Sequence, residues 1–528
     1  MIADLLLPLA LFLSAPQSPD TVTLASVVVD VHDAVVPAAS VAVSCGGVRR
    51  EARTDGSGRF RLTGLPPAAC LVWAERGLLA SGLRGVNLSA GPVEDLRLTL
   101  AVAGVRSEVT VTPARGGLEA VRSVPESVDV VARRDLETRP HQVLPQALQE
   151  EPGVLVQQTT SAQGSPFLRG FTGQGNVYLV DGARFNTAAW RSGPSQYLAW
   201  LADAGVDRIE IVRGAGSVQY GSDALGGTVH VVSDVPSLVS PRARLDGGAA
   251  VAASTADASA GGDAWFGVRA PRVAFTAGGG AKRVGDVRPG RAIDSHAVVT
   301  RYLGLPSSAV SGRLDATGFD QAGLRAVVHA QPGDGSAITI SWRRDEQTGA
   351  RRYDRELGGD GLYRSAFDPQ ALDIFSARYQ RARSGPFDAL AAGFSINRQQ
   401  DGQWEQHRPG TAINRLEQRA TAYGYQAQAT KVVAGRHAAV FGGEVYDEYI
   451  AGARTLEAGG VFVPARPDIP DGTRYTSVGV FAQDTAEIVP NRLTIRGGVR
   501  YGRFAFETKA DESLGVVAES VAAGALTY

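Results

Sequence analysis

The sequence predicts a mostly β protein in three parts: a small β-sandwich, a small α+β domain and an antiparallel transmembrane β-barrel. Short strand-like runs, separated by Gly and Pro turns at regular spacing, predict the sandwich in residues 21–102. Short β-branched runs joined by tight glycine turns predict the α+β domain in residues 126–236. Repeated alternation of apolar and polar residues predicts the barrel in residues 240–528.

Residues 1–18 predict an export signal. Leu5–Leu13 is a short apolar core, and Ser14-Ala15 offers a small-residue cleavage site. The start carries Asp4 and no Lys or Arg, so either the true start codon lies upstream or the signal is weak. We expect a signal peptide that is removed after export.

The sandwich region contains two turn motifs of a known small domain. Thr54–Phe60 reads TDGSGRF, a turn followed by a strand, and Gly64–Pro67 reads GLPP, a second turn. Both resemble the carboxypeptidase regulatory-like domain, whose usual pattern includes a T-D-x-x-G-x-F turn and a G-L-P-P turn. The strand-like runs of the region are Val22–Val31, Ser40–Ser44, Arg59–Leu62, Leu71–Ala74 and Leu96–Ala101.

The name of that domain suggests a zinc peptidase, which would need closely set ligands and a catalytic carboxylate. The seven histidines of the chain never form an H-x-x-E or H-E-x-x-H motif. We therefore expect a spacer or docking module, with no catalytic residue, no metal site and no cofactor. The net charge of −1 gives no strongly basic surface, so we also expect no nucleic-acid partner.

The two cysteines, Cys45 and Cys70, fall on two different predicted strands of the sandwich. In an oxidising periplasm, a disulfide between them would stabilise the module by roughly 3 kcal/mol, through its effect on the unfolded chain. The alternative is a pair of buried free thiols, and the sequence leaves both open.

The α+β region carries the most specific pattern in the chain. Asp181-Gly182 is the strongest two-residue hairpin signal, and several further glycines stand where only a residue without Cβ can turn or let two backbones approach. In order, the motifs are Leu144–Val154 (LPQALQEEPGV), Phe167–Phe171 (FLRGF), Val177–Gly182 (VYLVDG), Val206–Gly214 (VDRIEIVRG) and Tyr220–Ser233 (YGSDALGGTVHVVS). Together they resemble the plug domain of TonB-dependent outer-membrane receptors, which implies a globular plug inside a large transmembrane β-barrel.

The resemblance implies that the charges and glycines of these motifs shape the plug. Arg169, Arg213 and Asp181 are candidates for locking it in place, because charges inside a barrel lumen need partners there. The alternative is that they are surface charges that stabilise turns. The candidate plug residues together are Arg169, Gly170, Asp181, Gly182, Arg213, Gly214, Tyr220, Gly221, Gly226 and Gly227.

Residues 103–125 contain a short extended segment that Pro113 and a Gly pair bring to an end. By itself it is an ordinary linker. Directly before the plug, however, it resembles the TonB box, the segment that adds as a strand to the energy-transducing protein of the inner membrane. Strand addition suits it, because main-chain hydrogen bonds supply affinity and alternate side chains supply specificity. The residues of this candidate TonB box are Glu108, Val109, Thr110, Val111 and Thr112.

The third region alternates as strands with one apolar face do. Within Ile338–Arg343, for example, Ile and Trp alternate with Thr, Ser and Arg. A soluble sandwich would alternate too, but short turns that alternate with long polar loops are typical of an outer-membrane barrel. The short turns are Gln331–Ser336, Arg383–Pro386, Ala434–Arg436 and Val489–Asn491, and the long loops are Val284–Ala322, Gln347–Gln370, Gln400–Leu416 and Ala451–Arg474.

This pattern gives about eleven or twelve strands before Tyr528. A plugged lumen goes with about 22 strands. A plug of about 125 residues has a radius of gyration of about 14 Å. It does not fit inside a closed barrel of only about eleven or twelve strands. We therefore expect about half of a 22-stranded barrel, in a fragment of a longer receptor.

The resemblance implies energised uptake of a scarce ligand, and no enzyme activity. The ligand would bind the long loops and the outer face of the plug, and pulling on the TonB box would remodel the plug so that the ligand passes. The implied partners are the TonB energy-transducing complex, outer-membrane lipid and a small extracellular ligand. The implied location is the outer membrane, with the N-terminal domain and the TonB box in the periplasm.

For the ligand, we expect a ferric siderophore or haem. Glycan importers of the same superfamily usually carry a lysine-acidic-alanine pattern in the region of Arg213-Gly214, whereas Arg213–Gly216 here reads RGAG, which favours the siderophore, cobalamin or haem type. Arg191–Tyr197 (RSGPSQY) resembles plugs of haem-type receptors. The alternatives are a glycan importer, a non-transporting signalling or adhesion protein of the outer membrane, and a soluble periplasmic β-protein, against which the loop alternation argues.

Overall fold

The chain divides into two compact units, residues 1–103 and 104–528. The predicted export signal and the predicted TonB box lie outside the described residues, as does most of the predicted loop 284–322. The computed structural model describes residues 21–30, 34–45, 48–76, 79–81, 84–102, 127–194, 196–214, 216–221, 223–236, 243–288, 313–333, 336–357, 362–433, 436–489 and 493–527.

The described part of the first unit contains eight strands and a 3-10 turn at Leu88–Ala90. The strands are β1 (Val22–Asp30), β2 (Ser40–Cys45), β3 (Val48–Arg53), β4 (Arg59–Leu65), β5 (Ala69–Arg76), β6 (Leu79–Ala80), β7 (Arg84–Asn87) and β8 (Val93–Val102). They are hydrogen-bonded in the order β3-β2-β5-β6-β8-β1-β4, with β7 on β5. Leu24 and Leu98 from one half of this order and Val41 and Val72 from the other share one buried core, so the two halves pack face to face as a sandwich.

Three of these strands, β3, β6 and β7, are absent from the sequence prediction. The β3 segment reads VRREAR and has no apolar alternation, because it pairs only with β2 and forms an edge of the sheet. Charged residues are typical of edge strands, since they discourage further pairing. The apolar pattern therefore could not reveal it.

Cys45 and Cys70 lie opposite each other on β2 and β5. Their Cα atoms are 4.3 Å apart, and the structure joins their sulfur atoms in a disulfide. The bond lies in the core of the sandwich, where both residues are buried.

The second unit begins with an α+β domain, residues 127–236, which we call the plug. Its main sheet has the order β13-β12-β15-β14-β9, in which β12 and β15 are parallel and the other neighbours antiparallel, while β10 and β11 form a separate pair. Further 3-10 turns occupy Leu144–Leu148, Gly173–Gly175 and Tyr197–Trp200. The elements are β9 (Ser127–Ala132), α1 (Arg133–Thr138), β10 (Val154–Gln157), β11 (Ser165–Leu168), β12 (Asn176–Val180), β13 (Ala183–Arg184), β14 (Val206–Arg213), α2 (Ser217–Tyr220) and β15 (Gly227–Ser233).

The remaining described residues, 243–527, form a large antiparallel sheet, which we call the wall. Its elements are β16 (Arg244–Ser254), β17 (Ser259–Arg269), β18 (Val273–Val284), β19 (Phe319–Ala330), β20 (Ser336–Thr348), β21 (Ala350–Arg351), α3 (Tyr353–Leu357), β22 (Arg364–Phe367), β23 (Gln370–Ser384), β24 (Phe387–Gln406), β25 (Ile413–Val433), β26 (His437–Ala458), β27 (Val461–Ala465), β28 (Thr473–Val489), β29 (Leu493–Thr508) and β30 (Glu519–Thr527). Among the described residues, twelve strands follow one another from β16 to β30, with β21, β22 and β27 as side branches, and the sheet is open at both ends.

The two faces of the wall differ as predicted. Along β26, Phe441, Val445 and Tyr449 are exposed on one face, whereas Tyr446 and Ile450 are buried on the face toward the plug. An apolar outward band and a filled interior are typical of outer-membrane barrels. No helix within the described ranges is long and apolar enough to cross a membrane.

The prediction of long loops at Gln400–Leu416 and Ala451–Arg474 is wrong. Strands β24 and β25 continue through most of the first segment and pair as far as Gln406 and Ile413, and β26 and β27 form a hairpin within the second. A transmembrane strand needs about 9–11 residues, whereas β26 has 22. The outer halves of these strands carry polar residues on both faces, so apolar alternation does not mark them.

Candidate functional site

The Asp181-Gly182 turn joins β12 and β13 and lies between the plug and the wall. Val180 pairs with Ala183 across it, and the φ angles of Asp181 and Gly182 are 50° and 80°, as a type I′ hairpin turn requires. The Ser233 backbone N–H donates to Asp181 Oδ1 at 2.7 Å, and Gln426 of β25 donates to the Gly182 carbonyl oxygen at 2.9 Å. The predicted tight hairpin is confirmed, and it is hydrogen-bonded both to the plug sheet and to the wall.

A series of buried, hydrogen-bonded side chains supports this turn from within the plug. The Gly182 backbone N–H donates to His230 Nε2 at 3.1 Å, so the ring carries its proton on Nδ1, which lies 3.3 Å from Glu210 Oε2. Arg208 Nε donates to the other carboxylate oxygen of Glu210 at 2.7 Å. Because Glu210 is fully buried, its contacts with Arg208 and His230 help to offset the cost of burying its carboxylate.

Beyond the turn, the plug chain is held by side-chain amides of β24. Asn397 donates to the Phe185 carbonyl oxygen at 3.0 Å, and Gln399 donates to the same oxygen at 2.7 Å. Trp190 Nε1 in turn donates to Gln399 Oε1 at 2.7 Å. One polar strip of the wall thus satisfies plug backbone groups that have no partner in the plug sheet.

Arg191 and Tyr197 of the plug both contact one carboxylate of the wall, that of Asp401 on β24. Arg191 Nη2 lies 3.0 and 3.2 Å from the two oxygens of Asp401, and the Tyr197 hydroxyl donates to Asp401 Oδ2 at 3.1 Å. The Arg191 guanidinium also lies 4.0 Å from the ring centre of Phe367, and Tyr197 stacks on Trp190 at 4.4 Å. Burial raises the pKa of the Tyr197 hydroxyl, as does the Asp401 charge, so the hydroxyl stays protonated and donates.

A second ionic contact fastens the plug to strand β18. Lys282 Nζ of β18 lies 2.7 Å from Asp203 Oδ2, and His141 Nε2 lies 3.4 Å from Asp203 Oδ1. Burial would raise the pKa of Asp203, but the Lys282 and His141 charges outweigh it and hold that pKa well below its ordinary value. Beside it, the Ala202 backbone N–H donates to Asp345 Oδ1 at 3.1 Å.

The proposed lock residues have described partners inside the plug. Arg213 contacts Asp129 and the Pro152 carbonyl oxygen and donates to Ser127 Oγ at 2.6 Å, which ties β14 to β9 and to the loop before β10. Arg169 and Gly170 form the turn after β11, with φ angles of 51° and 84°. The Arg169 guanidinium lies beside Gly214, where an added Cβ would come within 3.4 Å of it. Locking of the plug by Arg169, Arg213 and Asp181 stays a prediction.

The predicted close approaches at the last glycines are confirmed. A Cβ on Gly226 would lie 2.3 Å from Asn176 Oδ1, and a Cβ on Gly227 would lie 2.2 Å from the Val212 carbonyl oxygen. Gly221 has a φ of 91° at the end of α2 and lies beside Arg500 of the wall, and Tyr220 packs in a small buried cluster with residues of β12.

Sequence reasoning missed most of the plug residues that contact the wall. Apart from the predicted Gly182 and Gly221, the wall contacts described above lie mostly between Arg184 and Asp203, and in that stretch only Arg191–Tyr197 was noticed, as a resemblance to haem-type plugs. The signal that could have found them is the concentration of Trp190, Arg191, Tyr197 and Trp200 in a loop, because large amphipathic side chains outside strands need partners elsewhere. Within the described ranges, no group of three or more His, Cys, Asp or Glu side chains is arranged to hold a metal ion.

Three family models match the chain. The carboxypeptidase regulatory-like domain matches residues 23–101, the TonB-dependent receptor plug domain matches residues 120–228, and the TonB-dependent receptor-like β-barrel matches residues 300–525. Each match covers the part of the chain in which the corresponding fold is observed.

Similar proteins include outer-membrane receptors and transporters. An iron-regulated outer membrane virulence protein of Vibrio cholerae is 34% identical over 133 residues, which are 24% of this chain and 20% of that protein. The vitamin B12 transporter BtuB of Vibrio vulnificus is 29% identical over 129 residues, or 24% of this chain and 21% of that protein. The structure of the unliganded ferric citrate transporter FecA has a TM-score of 0.58 at 16% identity, over 79% of this chain and 62% of that one.

The chain thus spans about a fifth of the length of the matched relatives and under two thirds of the solved transporter. The fold likeness and the three family models agree on the nature of each part: regulatory-like sandwich, plug and barrel wall. The chain belongs to the TonB-dependent receptors of the outer membrane.

Proposed function

We propose that this receptor imports a scarce ligand across the outer membrane at the expense of energy that TonB delivers, and that it performs no catalysis itself. The observation that carries the proposal is the nature of the plug–wall interface. An amide, a carboxylate and a lysine ammonium of the wall hold the plug at Phe185, Arg191 and Asp203 respectively. Such contacts can be exchanged for water when the plug moves, which a gate requires and a permanent core does not.

The energy input would arrive through the segment before the plug. Glu108–Thr112 would pair as a strand with TonB in the periplasm, where the N-terminal sandwich would also lie. Ser127–Ala132, the first plug strand, pairs directly with β14, an inner strand of the plug sheet. A pull on the preceding segment would therefore be transmitted to β14. Glu210 of β14 contacts His230, which in turn accepts from the Gly182 backbone N–H of the Asp181-Gly182 turn.

For the ligand we propose a ferric siderophore or haem. The RGAG segment at Arg213–Gly216 supports this class, as does the similarity to an iron-regulated virulence protein and to a ferric citrate transporter. Cobalamin is the second candidate, because the vitamin B12 transporters match a stretch of similar length.

The test is uptake of labelled ligands by cells that express the receptor. We expect accumulation of radio-iron presented as ferric siderophore or haem, and loss of that accumulation when an uncoupler collapses the proton gradient. Accumulation of cobalamin alone would move the assignment to the second candidate. Accumulation of an oligosaccharide alone, or uptake that the uncoupler leaves unchanged, would overturn the proposal.

A further inference from the structure

Three aromatic side chains form a patch on the inward face of β28 and β29. Arg500 of β29 faces inward, because its guanidinium lies beside Gly221 of the plug. By the two-residue period of a strand, Phe504 and Phe506 face inward as well. Tyr475 of β28 pairs with Phe506, and the register stays regular from there to Arg500. Tyr475, Phe504 and Phe506 therefore share one face of the sheet, and we call them the aromatic patch.

The aromatic patch lies toward the outer rim of the wall. Strands β28 and β29 are joined between Val489 and Leu493, where the sequence predicts one of the short turns of the periplasmic rim. Tyr475 is the third residue of β28, at the other end, and it pairs with Glu448 of β26. Glu448 accepts from the Ala188 backbone N–H of the plug at 2.7 Å. The patch thus adjoins the plug–wall interface on its outer side.

The rings of the patch pack beside one another and stay partly exposed. The ring centres of Tyr475 and Phe504 are 6.5 Å apart, and their planes differ by 22°. Phe504 leans over Gly502, where an added Cβ would come within 3.3 Å of the ring. All three side chains are only partly buried. Because they face inward, their open surface is turned to the lumen.

Where the wall holds the plug, its inward face is polar instead. One row of directly paired residues crosses β18 to β24, and its members are Lys282, Gln321, Gln347, Gln370 and Asp401. Gln321, for example, donates to the carbonyl oxygens of Ala199 and Trp200 at 2.9 and 3.0 Å. The aromatic patch has a different chemistry from the surface that binds the plug.

Neither lipid nor the protein core accounts for the patch. The side chains of β29 that face the membrane are the alternate ones, such as Val499 and Tyr501, which are exposed on the outward face. None of the three patch residues is among the buried core residues of the described part of the chain. The lumen of such a barrel is otherwise polar, so partly exposed rings there mark a surface that a ligand covers.

We infer that the aromatic patch is part of the ligand site, and that it selects a ligand with a flat conjugated ring, such as a catecholate or a porphyrin. Aromatic rings attract each other in offset-stacked and edge-to-face arrangements, beyond the gain from burying their area. A ligand without rings, such as ferric citrate, gains nothing from these arrangements. The inference rests on the proposed import function and adds the chemistry of the ligand and the place where it binds.

Leucine in place of both phenylalanines tests the patch, because it removes the rings and keeps an apolar side chain. The measurement is equilibrium binding of ferric enterobactin, haem and ferric citrate, each with radio-iron, to cells treated with an uncoupler. We expect F504L/F506L to bind the ring-bearing probe of the wild type about tenfold more weakly, and F504Y/F506Y, which keeps the rings, to bind it within about twofold. The matched control is Tyr501→Leu, an aromatic residue on the outward face of the same strand, which should bind as the wild type does.

The single variants Phe504→Leu and Phe506→Leu keep the test decisive if the double variant does not reach the cell surface. Each should weaken binding of the ring-bearing probe about threefold. Equal affinities of these variants and the Tyr501→Leu receptor would overturn the inference.

Uptake by energised cells separates the inference from the proposed function. If the wild type binds a ring-bearing probe at the patch but imports none, the import function fails and the ligand site stands. If the wild type imports ferric citrate and binds neither ferric enterobactin nor haem, the import function stands and the inference is wrong. A wild type that binds none of the three probes would overturn both.

Discussion

Arg191 of the plug binds Asp401 of the wall through both carboxylate oxygens, at 3.0 and 3.2 Å. The two residues are separated by 210 positions in the chain, and the pair holds the plug against the outer half of β24. Phe367 covers the guanidinium at 4.0 Å and shields the pair from solvent on that side. The contact therefore reports directly on whether the plug is seated.

Asp401→Asn should loosen the seated plug. Loss of a carboxylate from a well-buried pair costs about 3–5 kcal/mol, and partial exposure of Arg191 reduces this to roughly 1–3 kcal/mol. The measurement is the free energy of urea unfolding of the detergent-solubilised receptor, followed by tryptophan fluorescence. The control is Glu457→Gln at the more exposed Arg415–Glu457 pair, for which we expect a change below about 0.5 kcal/mol. Equal effects of the two variants would contradict a special role of the Arg191–Asp401 pair.

The plug should lose stability as the pH rises above neutrality. Burial lowers the pKa of His141, but contact with the Asp203 carboxylate and its charge outweigh burial, so that the pKa is raised above its ordinary 6.5. A group whose pKa is raised by folding contributes stability that is fully present below its unfolded pKa and is lost as the pH rises through the folded value. The urea concentration at the midpoint of unfolding should therefore decrease as the pH rises from about 6.5 into the alkaline range.

The matched variant for this pH effect is His141→Gln, which keeps a polar side chain and removes the titration. Its urea midpoint should change less over the same pH range. Because folding lowers the pKa of Asp203, the contribution of Asp203 is present above about pH 3.8 and is lost at more acidic pH, outside this range. A wild-type midpoint that rises from neutral to alkaline pH would contradict the assignment.

Gly227→Ala should destabilise the plug. A Cβ there would lie 2.2 Å from the Val212 carbonyl oxygen, so β14 and β15 must separate to admit it. Overpacking of this kind costs typically about 1–3 kcal/mol, which urea unfolding measures. Gly497→Ala serves as the control, since nothing lies within 4 Å of a Cβ added there. A Gly227→Ala midpoint as high as that of the control would show that the strands do not approach as closely as described.

The Cys45–Cys70 disulfide should stabilise the N-terminal sandwich. It closes a loop of 25 residues. In the chain-entropy model a loop of this size is worth about 3 kcal/mol. We expect the denatured but unreduced chain to titrate no free thiol, and a reductant to shift unfolding of the sandwich to lower urea. Two thiols titrated without reductant would leave the cysteines as a free pair.

The local chemistry of turns and close approaches was accessible from the sequence. The turn at Asp181-Gly182 and the close approach at Gly227 could be predicted, because a φ above zero or the need for a missing Cβ restricts which residues can stand there. The strands of the sandwich and of the wall could also be predicted, since burial of one face of a strand makes apolar residues recur at every second position.

The plug–wall interface was not accessible. Asn397 and Gln399 donate to the carbonyl oxygen of Phe185, more than 200 positions away in the chain. The sequence around an amide side chain on a strand does not indicate which distant backbone group it binds. The outer halves of β24 to β26 were mistaken for loops because paired polar strands outside the membrane show no apolar face. Both failures concern long-range polar contacts, which leave no periodic pattern.

If this chain is an importer driven through its TonB box, its initial uptake rate should depend on strand addition by Glu108–Thr112. Val109→Pro removes a backbone N–H that strand addition needs, whereas Val109→Ala keeps it. With radio-iron presented as ferric siderophore or haem, we predict that Val109→Pro binds the ligand at the cell surface but imports about tenfold less than Val109→Ala. Equal import by the two variants would contradict the account.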